Sequence, residues 1–140
     1  MDSREFRRHL HRHPELSFEE HQTQRFILAS LEAEGIEARK IAGTGVLAKI
    51  EGRRGGHRRA VVLRADIDAL PIQEVKDLPY KSKNEGVMHA CGHDGHMAML
   101  LELARRLSEK KNLPHNVLLL FQPGEESPGG AEGLCKTGVL

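Results

Sequence analysis

The chain has 140 residues, a length that suits one domain. Its 21 lysines and arginines nearly balance 20 aspartates and glutamates, and its aromatic residues are four Phe, one Tyr and no Trp. Because it lacks both the basic excess that neutralises phosphates and the rings that stack on bases, we expect no nucleic-acid partner. The unusual count is nine histidines, since histidine is the commonest metal ligand and a frequent proton carrier near neutral pH.

Residues 1–15 are polar and do not resemble a secretory signal, and no apolar run approaches the ~20 residues that span a bilayer. We therefore expect a soluble, cytoplasmic protein with no membrane partner. A single disulfide between Cys91 and Cys135 is not expected in such a chain. Cys91 lies among histidines, which favours a metal ligand or a reactive thiol.

Two helices are predicted at the start of the chain. Asp2 or Ser3 can cap a first helix that ends near Arg12. The sequence Ser17-Phe18-Glu19-Glu20 fits a capping box, in which the serine and the last glutamate satisfy each other's backbone amides. It predicts a second helix that runs to Glu34.

The apolar period then changes to two, which predicts strands at 36–41 and 46–50. A basic, glycine-rich turn at 52–56 precedes an apolar run, Ala60–Leu63, which predicts a more buried strand. The continuous apolar run Val117–Phe121 predicts a central strand that is covered on both faces.

The remaining elements complete an α/β pattern. A long irregular stretch, 73–90, leads to a predicted helix from His96 to about Ser108, and a short helix is predicted over 130–136. The fold class predicted is α/β, with a mixed β-sheet flanked by helices. Polar clusters follow the strands, and in open α/β sheets that edge is where ligands bind.

The densest polar cluster is the run from His89 to His96, with a thiol, three imidazoles and a carboxylate in eight residues. Cys91 and His93 are two residues apart, which lets them bind one metal or two neighbouring metals. A helix that starts here favours the thiolate form of Cys91 through its positive dipole end. Each histidine alone could merely cap or pack, but their density favours a metal site.

Two carboxylate pairs follow predicted strands. Glu125 and Glu126 are adjacent and can divide two roles, one as a metal ligand and one as a proton acceptor. Alone they could equally be a solvated face. Asp66 and Asp68 share a face of an extended segment, so one of them could orient a histidine ligand. An ordinary polar loop is the alternative, with Arg64 pairing with one aspartate.

A histidine group lies near the N-terminus. His9 and His13 are four residues apart on the first predicted helix, yet no other potential ligand lies nearby in the sequence. We therefore expect surface or capping roles for the histidines outside the dense cluster, namely His9, His11, His13, His21, His57 and His115.

Four motifs in order carry a family resemblance. They are Phe6 with His13-Pro14-Glu15, Arg64-Ala65-Asp66-Ile67-Asp68-Ala69-Leu70-Pro71-Ile72, His89-Ala90-Cys91-Gly92-His93-Asp94-Gly95-His96, and Phe121-Gln122-Pro123-Gly124-Glu125-Glu126 with Gly129-Gly130-Ala131. Together they resemble the aminoacylase-like metallopeptidases, which include hippurate hydrolase, N-acyl-amino-acid amidohydrolases and plant indole-acetyl-amino-acid hydrolases. The resemblance implies the N-terminal part of a zinc-peptidase-like catalytic domain over residues 1–140.

The resemblance also implies roles for individual residues. Cys91 and His93 match metal ligands, Glu126 a further ligand and Glu125 the general base. Asp68 matches a carboxylate that shapes the site, and we expect it to act in catalysis together with Glu125. The remaining motif positions are expected to line the site: Asp66, His89, Asp94 and His96.

The implied reaction is metal-assisted amide hydrolysis of an N-acyl amino acid or small peptide, with Glu125 taking the proton of the attacking water. Two divalent ions per complete site are implied, and a thiolate with imidazole and carboxylate ligands suits zinc, manganese or cobalt. The family's enzymes are two to three times as long as this chain, counted in usual domain sizes. Further histidine ligands and a lid domain that mediates dimerisation are therefore expected to be absent.

Two alternatives remain at the level of the sequence. The chain could be a non-catalytic metal-binding fragment, inactive without the missing C-terminal segments. It could also be a thiol enzyme with Cys91 as nucleophile and His93 or His96 as base. A piece of a larger sheet would leave apolar faces uncovered, which association into a homo-oligomer could cover.

Overall fold

The computed structural model describes residues 1–52, 60–110 and 112–139. Most of the predicted glycine-rich turn, residues 53–56, and His57 lie outside the described residues. Within those ranges the chain forms four helices and four strands. They are α1 Ser3–Arg12, α2 His21–Ala33, β1 Glu37–Ile41, β2 Gly45–Ile50, β3 Ala60–Asp66, α3 His93–Ser108, β4 Asn116–Gln122 and α4 Gly130–Lys136.

The strands form one mixed sheet in the order β1-β2-β4-β3, which confirms the predicted α/β class. β1 pairs antiparallel with β2 and β2 antiparallel with β4, whereas β3 runs parallel to β4. β4 is an interior strand, as its apolar run predicts, and Leu119 and Phe121 are completely buried. The parallel pair matters most for function, because its two carboxyl ends reach the same edge of the sheet.

Two hydrophobic clusters lie on opposite faces of the sheet. The larger unites α1, α2 and α3 with the sheet and includes Leu10, Ile27, Met97 and Phe121. The smaller packs Leu134 of α4 on the other face. This arrangement buries the apolar stripes of the helices and holds the first turns of α3 and α4 at the polar edge.

The first helix begins as predicted, with Asp2 as its cap. The Asp2 side chain accepts a hydrogen bond from the Glu5 backbone N–H, and the Glu5 carboxylate accepts one from Asp2 N–H. These two bonds form a capping box and satisfy amides that the helix leaves unpaired.

The capping box predicted at Ser17 and Glu20 is wrong. α2 begins at His21, and Glu20 makes no side-chain bond to its own helix. The backbone amides of Gln22 and Thr23 are capped instead by Glu15, whose carboxylate accepts both. Ser17 and Glu20 are thereby free to contact distant parts of the chain.

The prediction of a buried third strand is also wrong. β3 is an edge strand among the described residues, and Val61 and Val62 are 48% and 43% exposed. An apolar run alone does not tell a covered strand from an uncovered one, because both are rich in β-branched residues. In addition, α3 begins at His93, three residues earlier than predicted from its apolar period.

In residues 1–52, 60–110 and 112–139, no helix combines the length and apolar character needed to cross a membrane.

Candidate functional site

Three segments meet at the carboxyl edge of the parallel strand pair. Asp68 follows β3, the Glu125-Glu126 pair follows β4, and His93 opens α3. Asp66 and Gln122 are paired in register at the strand ends, so the two following segments leave the sheet side by side. Gly92 precedes His93 with a φ of 89°, a backbone conformation that favours glycine.

His93 is held in place by Asp68. Its Nδ1 donates a hydrogen bond to the Asp68 carbonyl oxygen at 2.9 Å and lies 3.4 Å from the carboxylate Oδ1. The side chains of both residues are almost fully buried. Nδ1 therefore carries a hydrogen, which leaves Nε2 on the opposite side of the ring for other partners.

Nε2 of His93 faces the glutamate pair. It lies 3.7 Å from Oε2 of Glu125 and 3.8 Å from Oε1 of Glu126. Glu125 is the more accessible of the two, with 39% of its side chain exposed against 20% for Glu126. Oε1 of Glu126 is buried and has no hydrogen-bond partner among the described residues.

These contacts shift the ionisation of the central pair. The adjacent Asp68 carboxylate raises the pKa of His93 to about 9, against the opposing effect of burial. Burial alone would raise the pKa of Asp68, but its contacts with His93, Glu126 N–H and Ser17 lower it to about 2. Three carboxylates thus surround one imidazole, an excess of negative charge that suits a cation.

Cys91 lies at the rim of this group and does not behave as the helix dipole predicts. A hydrogen bond to Glu126 raises the pKa of its thiol, and the neighbouring charges of Glu125 and Asp68 act in the same direction. The prediction of a thiolate favoured by the helix start is therefore wrong for the metal-free chain. A bound cation would reverse this balance, because a coordinating thiol loses its proton.

Asp66 and His96 form the outer part of the same edge. Ligand atoms of Asp66, His93 and His96 lie within 4.8 Å of one another, as do those of His93, Glu125 and Glu126. Asp66 is also paired with Arg64 at 2.9 Å, the ion pair that the sequence suggested. His96 is exposed, so its ring can move toward or away from this edge.

His89 is buried close to His93 and Asp68. Its side chain is buried, and neither ring nitrogen has a hydrogen-bond partner among the described residues. Burial lowers the pKa of His89 to about 4. The ring is therefore neutral at pH 7, and it lies close enough to His93 and to a second polar group for the charges of both to act on it.

That second group contains Asp94, which turns away from the glutamate pair. Its Oδ2 lies 2.8 Å from Nδ1 of His11 and 3.1 Å from Nε of Arg7. Nε2 of His11 lies 3.1 Å from Oε1 of Glu74. The expected surface role of His11 is wrong, because its side chain is only 5% exposed.

Sequence reasoning missed both His11 and Glu74. Arg7 and His11 are four residues apart on α1, next to its apolar positions, and that spacing could have placed both against one buried carboxylate. Glu74 gives no such signal, since it lies in the irregular stretch. Of the other N-terminal histidines, His9 stacks on Phe26 with ring centroids 4.0 Å apart.

A cavity of about 330 Å³ opens beside the glutamate pair. It lies between the ends of β3 and β4 and the start of α4. Its lining includes Arg64, Gln122, Glu125 and Ser127. The volume lies at the lower end of the range for small-molecule sites, and one end of the cavity carries the accessible carboxylate of Glu125.

Asp68, Cys91, His93 and the Glu125-Glu126 pair all lie in the segment that a protein-family profile recognises. The profile described as "Peptidase family M20/M25/M40" matches residues 62–140. The chain belongs to this peptidase family. The match confirms the family that the four sequence motifs predicted.

Relatives extend the likeness over nearly the whole chain. An uncharacterized hydrolase of Staphylococcus epidermidis is 49% identical over 137 residues, which are 96% of this chain and 35% of the relative. A second, from Staphylococcus haemolyticus, is 47% identical over the same proportions. This M20 chain therefore spans about a third of the length of the curated relatives that it matches.

Solved structures show the same fold. The Bacillus subtilis YXEP protein, described as a dinuclear metal binding peptidase from the M20 family, matches with a TM-score of 0.93 and 46% identity. The match covers 99% of this chain and 39% of that one. An aminobenzoyl-glutamate utilization protein from Klebsiella pneumoniae matches with a TM-score of 0.72 and 21% identity over 98% of this chain and 40% of that one, which shows the fold alone.

Proposed function

We propose that this chain carries part of the catalytic site of a metal-dependent amidohydrolase that releases amino acids from N-acyl derivatives or small peptides. The observation that carries the proposal is the position of His93. Asp68 fixes one of its ring nitrogens, and the other faces two glutamates at 3.7 and 3.8 Å. A carboxylate behind a histidine and acidic groups in front of it make an arrangement typical of metal sites.

The proposed ligands are Cys91, His93 and Glu126. They offer sulfur, nitrogen and oxygen donors, a set that suits zinc, manganese or cobalt. The fit rests on the buried Oε1 of Glu126, which has no hydrogen-bond partner in the described part of the chain, and on the excess of carboxylates around His93. The motif resemblance and the dinuclear M20 neighbour support two divalent ions per complete site.

The proposed general base is Glu125. A bound divalent ion would supply Lewis acidity and bring the pKa of water near 7. The Glu125 carboxylate, the more exposed of the pair, would take the proton of an attacking water as the water oxygen adds to the acyl carbonyl. It then gives the proton to the departing amine nitrogen as the carbon–nitrogen bond breaks.

The residues around the base define the rest of the proposed site. The cavity of about 330 Å³ beside Glu125 has room for a small substrate rather than a folded protein. Asp68 orients His93 and does not touch the substrate. Asp66 and His96 line the outer edge, whereas His89 and Asp94 support the site from beneath.

A second candidate function is metal binding without turnover by this chain alone. The observation that favours it is length, since the chain spans about a third of its curated relatives. The family resemblance implies further histidine ligands beyond the motifs present here. In this case, the isolated chain would hold metal at Cys91, His93 and Glu126 and leave amide substrates unchanged.

One experiment separates these functions. The purified chain is loaded with Zn²⁺, Mn²⁺ or Co²⁺, its metal content is measured, and hydrolysis of N-acetyl and N-benzoyl amino acids is followed with and without EDTA. We expect bound metal and EDTA-sensitive hydrolysis, with Glu125→Gln keeping the metal and losing turnover. Metal without hydrolysis favours the second candidate, while hydrolysis that survives EDTA and is lost in Cys91→Ser favours a thiol enzyme.

The cellular setting is also part of the proposal. Cys91 and Cys135 are both free and exposed, which suits the reducing cytoplasm. The exposed apolar side chains of Val61 and Val62 on β3 support association of the chain into a homo-oligomer. Light scattering of the purified chain at several concentrations tests that association, and a constant monomer mass would contradict it.

A further inference from the structure

The segment between α1 and α2 contacts the functional site at three points. Ser17 Oγ donates to Oδ2 of Asp68 at 2.7 Å. The Phe18 ring packs against Gly124, and the Glu20 carboxylate accepts the Gly124 backbone N–H at 2.9 Å. Glu20 and Gly124 are 104 residues apart in the sequence. The Phe18 and Glu20 contacts fall on the turn that carries the Glu125-Glu126 pair, and the Ser17 contact falls on the carboxylate that binds the same turn.

Two backbone N–H groups of this turn, two residues apart, donate hydrogen bonds to buried carboxylates. Gly124 N–H is bound by Glu20, and Glu126 N–H is bound by Oδ2 of Asp68 at 2.8 Å. Glu20 is completely buried and Asp68 is 1% exposed. Hydrogen bonds in such a setting are electrostatically strong, and losing one leaves a buried polar group unpaired. The two carboxylates therefore fix the direction in which both glutamate side chains leave the turn.

Phe18 adds a steric restraint at a strained position. Its φ is 66°, an uncommon conformation for a bulky residue, and the side chain is 47% exposed. Gly124 has a φ of 63°, and a Cβ there would collide with the Phe18 ring. Strain of this kind persists where the surrounding structure holds it, and it is common at functional sites.

Helix capping does not account for Glu20. Although Glu20 is the residue before α2, it makes no side-chain bond to that helix, and Glu15 caps the free amides instead. Its other oxygen is bound by the Thr44 hydroxyl from the β1–β2 turn. The carboxylate thus points away from its own helix toward the site.

We propose that Phe18 and Glu20 form a positioning clamp for the Glu125-Glu126 pair, with Glu20 binding the Gly124 amide and Phe18 covering its α-carbon. This inference rests on the proposed metal site, because Glu126 is its ligand. When the clamp is removed, the turn gains freedom, and the carboxylates of Glu125 and Glu126 no longer face Nε2 of His93. Metal affinity then falls without any loss of a ligand.

The test is a Co²⁺ titration of the metal-free chain, followed by absorbance, with circular dichroism as a check of folding. We expect Glu20→Ala to weaken Co²⁺ binding roughly 10- to 100-fold, the range typical of lost support for a ligand. Glu20→Gln keeps an oxygen for Gly124 N–H and an amide for Thr44, so it should bind within about threefold of the unaltered chain. Unchanged binding by folded Glu20→Ala would overturn the proposal.

Two variants separate positioning from general stability. Thr44→Val removes the other partner of Glu20 and should lower stability while leaving Co²⁺ affinity nearly unchanged. An equal loss of affinity in Thr44→Val would also overturn the clamp. If Glu20→Ala does not fold, Phe18→Ala decides, because its half-exposed ring lies outside both hydrophobic clusters and its loss should disturb folding less. We expect several-fold weaker binding there, and unchanged affinity rejects the clamp.

Glu126→Gln distinguishes failure of the clamp from failure of the proposed site. This variant removes a ligand directly and should weaken Co²⁺ binding more than either clamp variant. If it binds like the unaltered chain, the metal site itself is misassigned, and the proposed function fails together with the clamp. If it alone weakens binding, the site stands and the clamp does not.

Discussion

His93 and Asp94 are neighbours in the first turn of α3, but their side chains enter two different polar groups. Asp94 meets Arg7 and His11, and His11 in turn meets Glu74, so that two carboxylates face two basic side chains. The acidic and basic side chains of this group are equal in number, and His11, Asp94 and Glu74 are buried. Each of them contacts a partner inside the chain, as in a structural polar network.

The His93 group has the opposite balance. One imidazole faces Asp68, Glu125 and Glu126, and the last two are partly open to solvent. Their negative charge exceeds what a single histidine can neutralise. Both groups combine acidic residues with a histidine, so that composition alone does not identify a metal site. The unbalanced, accessible group is the candidate, and the balanced, buried group supports it.

The largest expected effect comes from breaking the balanced group. His11→Leu would leave Asp94 and Glu74 buried without the imidazole between them, and unpairing a buried ion pair typically costs about 3–5 kcal/mol. Urea denaturation of the metal-free chain measures this loss. Arg7→Ala is the control, because the Arg7 side chain is 53% exposed and its removal should cost less than about 1 kcal/mol. Equal small losses in both variants would contradict the structural role given to His11.

Glu126→Gln tests the unbalanced group and should show the reverse pattern. We expect Co²⁺ binding to weaken by more than about 100-fold, beyond the loss typical for groups that only support a ligand. The free energy of unfolding of the metal-free chain should change by less than about 1 kcal/mol, because Oε1 of Glu126 has no hydrogen-bond partner to lose among the described residues. Glu132→Gln, an exposed glutamate on α4, is the matched control. If Glu126→Gln loses stability but binds Co²⁺ as tightly as the unaltered chain, Glu126 has a structural role and is not a metal ligand.

Local patterns explain which parts of the fold were predictable. Asp2 and Glu5 are three residues apart, so the sequence alone specifies their capping box, and the apolar run of β4 gives an interior strand. Ser17 and Glu20 have the same spacing as a capping box, yet Asp68 and Gly124, 51 and 104 residues away, bind them instead. Tertiary hydrogen bonds override a local motif whenever they bury the same carboxylate more completely.

The site shows the same division. The motifs placed Asp68, His93 and the glutamate pair at one edge because strand ends and helix starts converge there in α/β folds. Asp94 faces the other way because adjacent helix positions differ by about 100° in direction. The motifs could not show which group it would enter, since its partners Arg7 and His11 lie more than 80 residues away in the sequence. The helix dipole also misled the expectation for Cys91, because a hydrogen bond to Glu126 and the nearby carboxylates, which are distant in sequence, raise the pKa of its thiol.

A smaller effect is expected from pH, through the pairing of His93 with Asp68. The pKa of His93 is raised to about 9 from 6.5, so its pairing with Asp68 stabilises the fold fully below pH 6.5 and less as pH rises toward 9. We expect the metal-free chain, in EDTA, to lose stability between pH 6.5 and 8.5. Co²⁺ affinity should rise over the same range, because the metal competes with a proton on Nε2.

Asp68→Asn is the control for that pH series. It removes the charge that raises the pKa of His93, so the fall in stability between pH 6.5 and 8.5 should flatten. The series is measured above pH 6.5 because burial lowers the pKa of His89 to about 4. Below pH 6.5 the unfolded chain binds a proton at His89 that the folded chain does not, which lowers stability for a separate reason. Equal slopes in the variant and the unaltered chain would contradict the assigned pairing.

The smallest effect is expected at Asp66, two residues from Asp68. Asp66 pairs with Arg64, whose side chain is 48% exposed, and such surface pairs contribute about 0–1 kcal/mol. Asp66→Asn should therefore change the urea midpoint little, whereas Asp68→Asn removes a carboxylate that is bound by Ser17, His93 and Glu126. Co²⁺ titration of both variants completes the comparison. If Asp66→Asn lowered Co²⁺ affinity as much as Asp68→Asn, the Asp66 carboxylate would be a metal ligand. Because Asp66→Asn should hardly change stability, direct coordination would be the remaining reason for such a loss.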